Sequence, residues 1–216
     1  MTELTISAVH GRSLWDSRGR PTVEAEVTLS DGSTGRALAP AGASTGSGEA
    51  LDLRDGGDMY GGYGVKQAVA NVSGCINQKL TGMLAVDQLA ADQALIALDG
   101  TEKRDKLGGN AMIATSMALA HAAANSSSQP LWRYLGGSNS NPLPVPEIQI
   151  FGGGAHAEGQ MDLQDFMIVP FGADSFSQAM EWTGEIYRAA GKMMDSLGKR
   201  TGVADEGGYW PTFDSN

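Results

Sequence analysis

Two carboxylates stand side by side in the run Val203-Ala204-Asp205-Glu206-Gly207-Gly208-Tyr209-Trp210-Pro211. A short apolar approach delivers Asp205 and Glu206 to paired glycines, where the backbone can turn sharply, as a barrel strand does when it ends in a catalytic loop. Such a pair can act as a metal ligand and a general acid/base; an exposed turn accounts for it equally well. A second candidate is Phe151-Gly152-Gly153-Gly154-Ala155-His156-Ala157, followed by Gln164-Asp165 at the start of an apolar run. Three glycines let backbone approach a ligand closely, and His156 can donate to an anionic oxygen or move a proton. The plain alternative is a tight turn carrying a surface histidine. A third is Gly42-Ala43-Ser44-Thr45-Gly46, whose hydroxyls can ligate a hard cation or bond a phosphate. Read alone, it is also an ordinary surface loop, and it is not a nucleotide P-loop because no Gly-Lys-Ser/Thr follows. If Asp165 and Glu206 end nearby strands of one barrel, both face its mouth, where the environment can give two carboxyls separate roles. His10 and His121 are weaker candidates, His121 lying in an Ala-rich helical stretch.

The elements that must hold these loops change character along the chain. Val23, Ala25, Val27 and Leu29 alternate with polar partners as a half-buried strand; Ser30-Asp31-Gly32-Ser33 turns it, and Thr34 to Ala39 returns. Residues 4–10 read as a third strand. Val65, Val69, Val72, Ile76 and Leu80 then form one helical apolar stripe; Leu89, Leu95, Ile96 and Leu98 support a second helix, and Gly108 to Asn125 a third. Residues 131–135 close this part with a short turn. Strands followed by a block of helices predict an α+β domain. The turn-forming cluster Gly136 to Pro142 separates it from a different order. Val145 to Phe151 and Phe166 to Val169 read as buried strands, and Phe176, Met180, Ile186, Ala190, Met193 and Leu197 as the apolar face of a long helix. Another strand begins at Val203. Strands alternating with helices predict a parallel sheet or barrel.

Composition narrows the partners. The 216 residues are 41% hydrophobic, enough for a real core, and 15 basic against 25 acidic residues give a net charge of −10. That argues against nucleic acid or an anionic membrane as partner, while leaving an anionic substrate open because a bound cation reverses the local sign. Cys75 is the only cysteine, the N-terminal residues lack the basic and apolar regions of a signal peptide, and no stretch has the length of a membrane span. The expectation is a soluble, cytoplasmic protein.

Taken together, the motifs resemble one family, the enolases (phosphopyruvate hydratases). Asp16-Ser17-Arg18-Gly19-Arg20-Pro21-Thr22-Val23-Glu24 resembles the family's Ser-Arg-Gly-Asn-Pro-Thr-Val-Glu opening, and Gly42 to Gly46 its mobile Gly-Ala-Ser-Thr-Gly loop. Glu49 to Gly56, Leu98-Asp99-Gly100-Thr101, Gly109-Asn110-Ala111 and Leu143-Pro144-Val145-Pro146 fit in order. So do Gly153-Gly154-Ala155-His156-Ala157, Gln164-Asp165-Phe166-Met167-Ile168 and Asp205-Glu206-Gly207-Gly208. The resemblance covers essentially the whole chain. It implies an α+β N-terminal capping domain over residues 1–136, then the start of an α/β enolase-type TIM barrel over residues 143–216, incomplete at the C-terminus. The implied reaction is the reversible, magnesium-dependent dehydration of 2-phosphoglycerate to phosphoenolpyruvate in glycolysis, with two Mg²⁺ ions stabilising an enediolate. By position, Ser44 would ligate a Mg²⁺ and, with Ala43, His156, Gln164 and Asp165, contact the substrate. Glu206 would be the acid that helps the 3-hydroxyl leave, supported by Asp165, while His156 would lie near the phosphate. A homodimer is likewise implied.

Several positions depart from the family pattern. Asp165 stands for Glu, withdrawing a carboxylate by about 1.5 Å, a displacement that can cost about 100-fold in rate. Gly152 and Gly159 replace Asn, Gly48 a larger residue, and Tyr209-Trp210 the usual Phe-Ala. Read as neutral drift, these are tolerated changes in an ordinary enolase; drift scatters, however, and several of them sit around one pocket, which leans towards altered specificity. An enolase-like carboxyphosphonoenolpyruvate synthase of phosphonate biosynthesis is one alternative, and a non-catalytic enolase-derived binding module another. The family barrel continues for roughly 200 residues more, with the remaining magnesium carboxylates and the lysine base, so residues 1–216 alone are expected to be inactive.

Overall fold

The computed structural model describes residues 3–42, 44–137, 142–157, 161–204 and 206–214, with the backbone alone at 155 and 156. The chain divides into two compact units, Met1–Ser140 and Asn141–Asn216.

The first unit is built on an antiparallel meander of β1 (Ile6–Trp15), β2 (Pro21–Leu29) and β3 (Thr34–Leu38). The Asp31-Gly32 turn joins β2 to β3: Leu29 N–H reaches the Ser33 carbonyl at 2.8 Å, and Asp31 Oδ1 accepts the Ser33 N–H at 2.8 Å. Period-2 alternation puts Val23, Ala25, Val27 and Leu29 on one face, all buried, under α4 (Gly109–Ser126). That helix presents Ala111, Ala114, Ala118 and Ala122, small residues that let it lie close to the sheet. On the opposite face of β2, the buried Glu24 pairs with Arg12 at 2.7 Å.

The predicted stripe from Val65 to Leu80 is helical but not one regular helix. α1 (Lys66–Asn71) passes through a π turn (Val72–Ile76) into α2 (Asn77–Leu80). The wide turn carries Ser73, whose Oγ accepts the Gly11 N–H at 2.9 Å, while Asn77 Oδ1 accepts the Val9 N–H at 2.7 Å. Side chains of the helix thereby satisfy donors on the edge strand β1. α3 (Gln88–Asp99) is capped by Asp87 and ends at Gly100 in the left-handed region; α5 (Leu131–Gly136) follows α4.

In the second unit, β4 (Ile148–Gly152), β5 (Asp165–Ile168), α6 (Phe176–Ser196), β6 (Arg200–Val203) and β7 (Tyr209–Pro211) form a four-stranded sheet, order β5-β4-β7-β6, with one helix. Only β4 and β7 pair in parallel; β4–β5 and β6–β7 are antiparallel. The sheet is therefore mixed rather than parallel: β5 and β6 run against the strands they pair with, while β4 and β7 run the same way. β4 begins after Pro144 and Pro146, later than predicted, since neither residue can donate to a ladder. The face that α6 buries also differs from expectation. Ala179, Thr183, Gly191 and Met194 are buried, whereas Phe176, Met180, Ile186 and Met193 are exposed. Small residues bring the helix close to β4 and β6.

Candidate functional site

β4 and β5 carry an irregularity that matters for the site. Gln149 pairs with Met167 and Phe151 with Phe166, so one extra residue bulges from β4. Gln149 shares a face with Met167 and hence with Asp165, diagonally across the ladder, a separation that a long side chain can span. The Gln149 Nε2 donates to Asp165 Oδ1, and Gln164 Nε2 donates to Asp165 Oδ2 at 3.1 Å. At its other end, Gln149 Oε1 accepts the Gly208 N–H at 2.8 Å. A Cβ on Gly208 would lie 2.4 Å from that oxygen, so the glycine makes room for the bond. Gly207, at φ +99°, supplies the left-handed turn. Asp165 and the turn carrying Glu206 are thus joined through a single amide.

A second brace holds the same turn from behind. The Tyr187 hydroxyl donates to the Gly207 carbonyl at 2.9 Å, and its ring stacks on Tyr209 with centroids 4.2 Å apart and planes 14° apart. The Arg200 guanidinium sits 5.5 Å from the Tyr209 ring centroid. Burial, together with Tyr209, raises the Tyr187 phenol above its ordinary range, which keeps it a donor. Tyr209 is itself buried against α6. Its replacement of the family phenylalanine is accommodated there by Gly191, next to the Tyr209 hydroxyl.

In the N-terminal unit, the Gly42–Gly46 loop is anchored at both ends. Arg18 donates to the carbonyls of Ala41 and, at 3.3 Å, Gly42; Glu49 Oε2 accepts the Gly46 N–H at 2.8 Å. Asp16 fixes the turn that carries Arg18 by accepting the N–H groups of Arg18 at 2.9 Å and Arg20 at 2.8 Å. Burial works to raise the Asp16 carboxyl, but these N–H groups and the two arginine charges outweigh it and hold the group below the usual range. Beside the loop lies a cavity of about 730 Å³, lined in part by Thr45, Glu49, Asp52 and Arg54. Arg20 also lines it, its guanidinium 4.5 Å from the Tyr63 ring centroid.

Of the residues singled out by sequence, Gln164 and Asp165 come together with Gln149 and Gly208, and Glu206 sits exposed in the turn that Gly207 and Gly208 complete. Ser44 is exposed on the anchored loop and belongs to the N-terminal unit. Ala43, Asp205 and the His156 side chain lie outside the described residues. Gln149 and Tyr187 were not legible as site residues: neither stands in a glycine-rich loop or beside a candidate catalytic residue in sequence. Their roles depend on strand register and helix packing. Among the described residues, no three His, Cys, Asp or Glu side chains gather as a metal site. Of the described residues, Ser44 is the one the sequence offers as a Mg²⁺ ligand, and it supplies a single hydroxyl. Among the described residues, no helix is long and apolar enough to cross a membrane.

Comparison with protein families adds an independent finding. Residues 6–135 match the model described as enolase, N-terminal domain, and residues 140–216 match that described as enolase, C-terminal TIM barrel domain.

Proposed function

The chain belongs to the enolase family, and from that premise we propose that it contributes to an enolase-type lyase that reversibly removes water from 2-phosphoglycerate to give phosphoenolpyruvate. The observation that carries this reading is the amide bridge from Asp165 to Gly208. It fixes a strand-end carboxylate and the Glu206 turn to one another, as a reaction with two carboxyls in separate roles needs.

In this reading, the C2 proton leaves to a base outside the described residues, and its electron pair enters an enediolate. The pair then forms the C2–C3 double bond as the C3–O bond breaks. Glu206 gives its proton to the departing hydroxyl, which leaves as water. Asp165 supports that step and Gln164 orients Asp165 by the bond between them. His156 contacts the substrate near its phosphate. Ser44, on a loop held at each end by Arg18 and Glu49, supplies a hydroxyl to the bound substrate and its cation. Magnesium, a general requirement of the family, would stabilise the enediolate dianion. A homodimer and a cytoplasmic location belong to the same proposal.

The buried packing of Tyr209 bears on the alternative of a diverged substrate. Stacked on Tyr187 and seated over Gly191, Tyr209 has a packing reason for its presence, so it no longer argues for a changed pocket. Assay of the full-length protein, with its barrel complete, on 2-phosphoglycerate and Mg²⁺ tests the proposal. Steady formation of phosphoenolpyruvate supports it; no product, with a phosphonate analogue turned over instead, would replace it with the carboxyphosphonoenolpyruvate synthase reading.

A further inference from the structure

We infer that Gln149 is the positioning residue of this site: its amide holds Asp165 and the Gly207-Gly208 turn in one constellation, and so sets where Glu206 stands. The inference rests on the lyase reading for its chemistry but on geometry for the bridge.

The orientation of the Gln149 amide is decided by a group that cannot change. Gly208 N–H is only a donor, so the atom 2.8 Å from it must be the carbonyl oxygen Oε1. The amide N–H₂ is then the end that faces Asp165, and it donates to Oδ1. Gln164 donates to Oδ2. Both Asp165 oxygens therefore accept bonds from side-chain amides, and one of those amides is locked by a backbone donor. Three features of the fold make this possible. The β4 bulge sets the register that puts Gln149 on the face of Asp165. The glycine at 208 leaves space that a Cβ would fill, 2.4 Å from Oε1. Gly152 does the same on the other side, where a Cβ would lie 3.2 Å from Oε1 and 2.3 Å from Ala204 Cβ. A side chain at Gly208 would have to displace the amide, and one at Gly152 would press on it while clashing with Ala204.

Gln149 has no proton to give or take at neutral pH, so its contribution is to geometry. Two variants of the full-length protein, with its barrel complete, separate its two bonds. Gln149→Met keeps approximate length and loses both. Gln149→Glu keeps an acceptor for Gly208 N–H but puts a carboxylate oxygen where the donor to Asp165 was. Hydrogen–deuterium exchange read by mass spectrometry on a peptide spanning residues 204–210 reports the Gly208 bond. It is expected to speed up about tenfold in Gln149→Met and stay near wild type in Gln149→Glu. Turnover of 2-phosphoglycerate reports positioning. In both variants kcat should fall about 100-fold, with KM within about twofold because the amide does not touch substrate. Unchanged exchange in Gln149→Met, or wild-type kcat in either variant, overturns the inference. If the wild-type full-length protein, with its barrel complete, forms no phosphoenolpyruvate, the lyase reading fails, and the bridge is then judged by exchange alone: faster exchange in Gln149→Met upholds it, and unchanged exchange ends it.

Discussion

Gly191 and Gly184 sit in the same helix, yet adding one methyl group should have opposite effects at the two. Both are interior to α6 (Phe176–Ser196). Intrinsic propensity alone favours alanine over glycine at either by about 1 kcal/mol. At Gly184, nothing lies within 4 Å of the position a Cβ would take. At Gly191, that Cβ would lie 2.4 Å from the Tyr209 hydroxyl and 2.6 Å from its Cζ. Tyr209 is buried and stacked on Tyr187, so the ring cannot swing into solvent without giving up both. Overpacking of this kind costs about 1–3 kcal/mol, and displacing the ring also gives up a stacked pair worth about 0.5–1.5 kcal/mol. Gly184→Ala should therefore stabilise by about 1 kcal/mol, while Gly191→Ala should destabilise by about 0.5–3.5 kcal/mol after its propensity gain. Urea unfolding of the two variants beside wild type measures the difference. Trimming the ring with Tyr209→Leu in the Gly191→Ala background should recover part of the loss. Equal stabilisation by both alanines would refute the reasoning, since it would mean that Tyr209 does not hold the place against α6 that braces the Glu206 turn.

Asp99 is buried and accepts the N–H groups of Thr101 at 2.9 Å and Leu107 at 2.7 Å. Burial alone would raise its carboxyl, but the Thr101 hydroxyl and these N–H groups hold it below the ordinary range. Its contribution is accordingly complete above the unfolded carboxylate range, near about pH 4, and is lost as pH falls through the lower folded value. Asp99→Asn should cost about 1–3 kcal/mol at neutral pH by urea unfolding, with the gap to wild type closing in acid. Tyr187→Phe keeps the stack and loses the bond to the Gly207 carbonyl, so it should cost about 1 kcal/mol in unfolding and lower kcat of the full-length protein. Ser44→Ala should leave unfolding within about 0.5 kcal/mol of wild type, because the side chain is exposed, and should raise the Mg²⁺ concentration needed for half-maximal turnover.

The N-terminal unit was readable largely because its elements carry local signals. Alternation from Val23 to Leu29, the Asp31-Gly32 turn and the stripe from Val65 to Leu80 each follow from a period or a turn residue. The π turn at Val72–Ile76 did not, since its benefit lies in the β1 donors that Ser73 and Asn77 satisfy. In the second unit, hydrophobicity misled on α6: Phe176, Met180, Ile186 and Met193 are exposed, and the buried positions are Ala179, Thr183, Gly191 and Met194. β7 was hidden inside what read as the tail of a loop motif, because a three-residue strand has no period to detect. The carboxylates of the site were legible from their neighbours, Asp165 after Gln164 and Glu206 before paired glycines. Gln149 was not, for its meaning comes from the one-residue bulge that sets it beside Asp165.

The central claim is that Glu206 acts on the departing hydroxyl and not on the C2 proton. The most direct measurement follows both steps in one sample: deuterium entry at C2 of 2-phosphoglycerate in D₂O, beside formation of phosphoenolpyruvate, for the full-length protein with its barrel complete and its Glu206→Gln variant. The prediction is that dehydration falls about 10²–10⁴-fold in the variant while exchange at C2 persists. Dehydration at the wild-type rate, or loss of exchange together with dehydration, would contradict it.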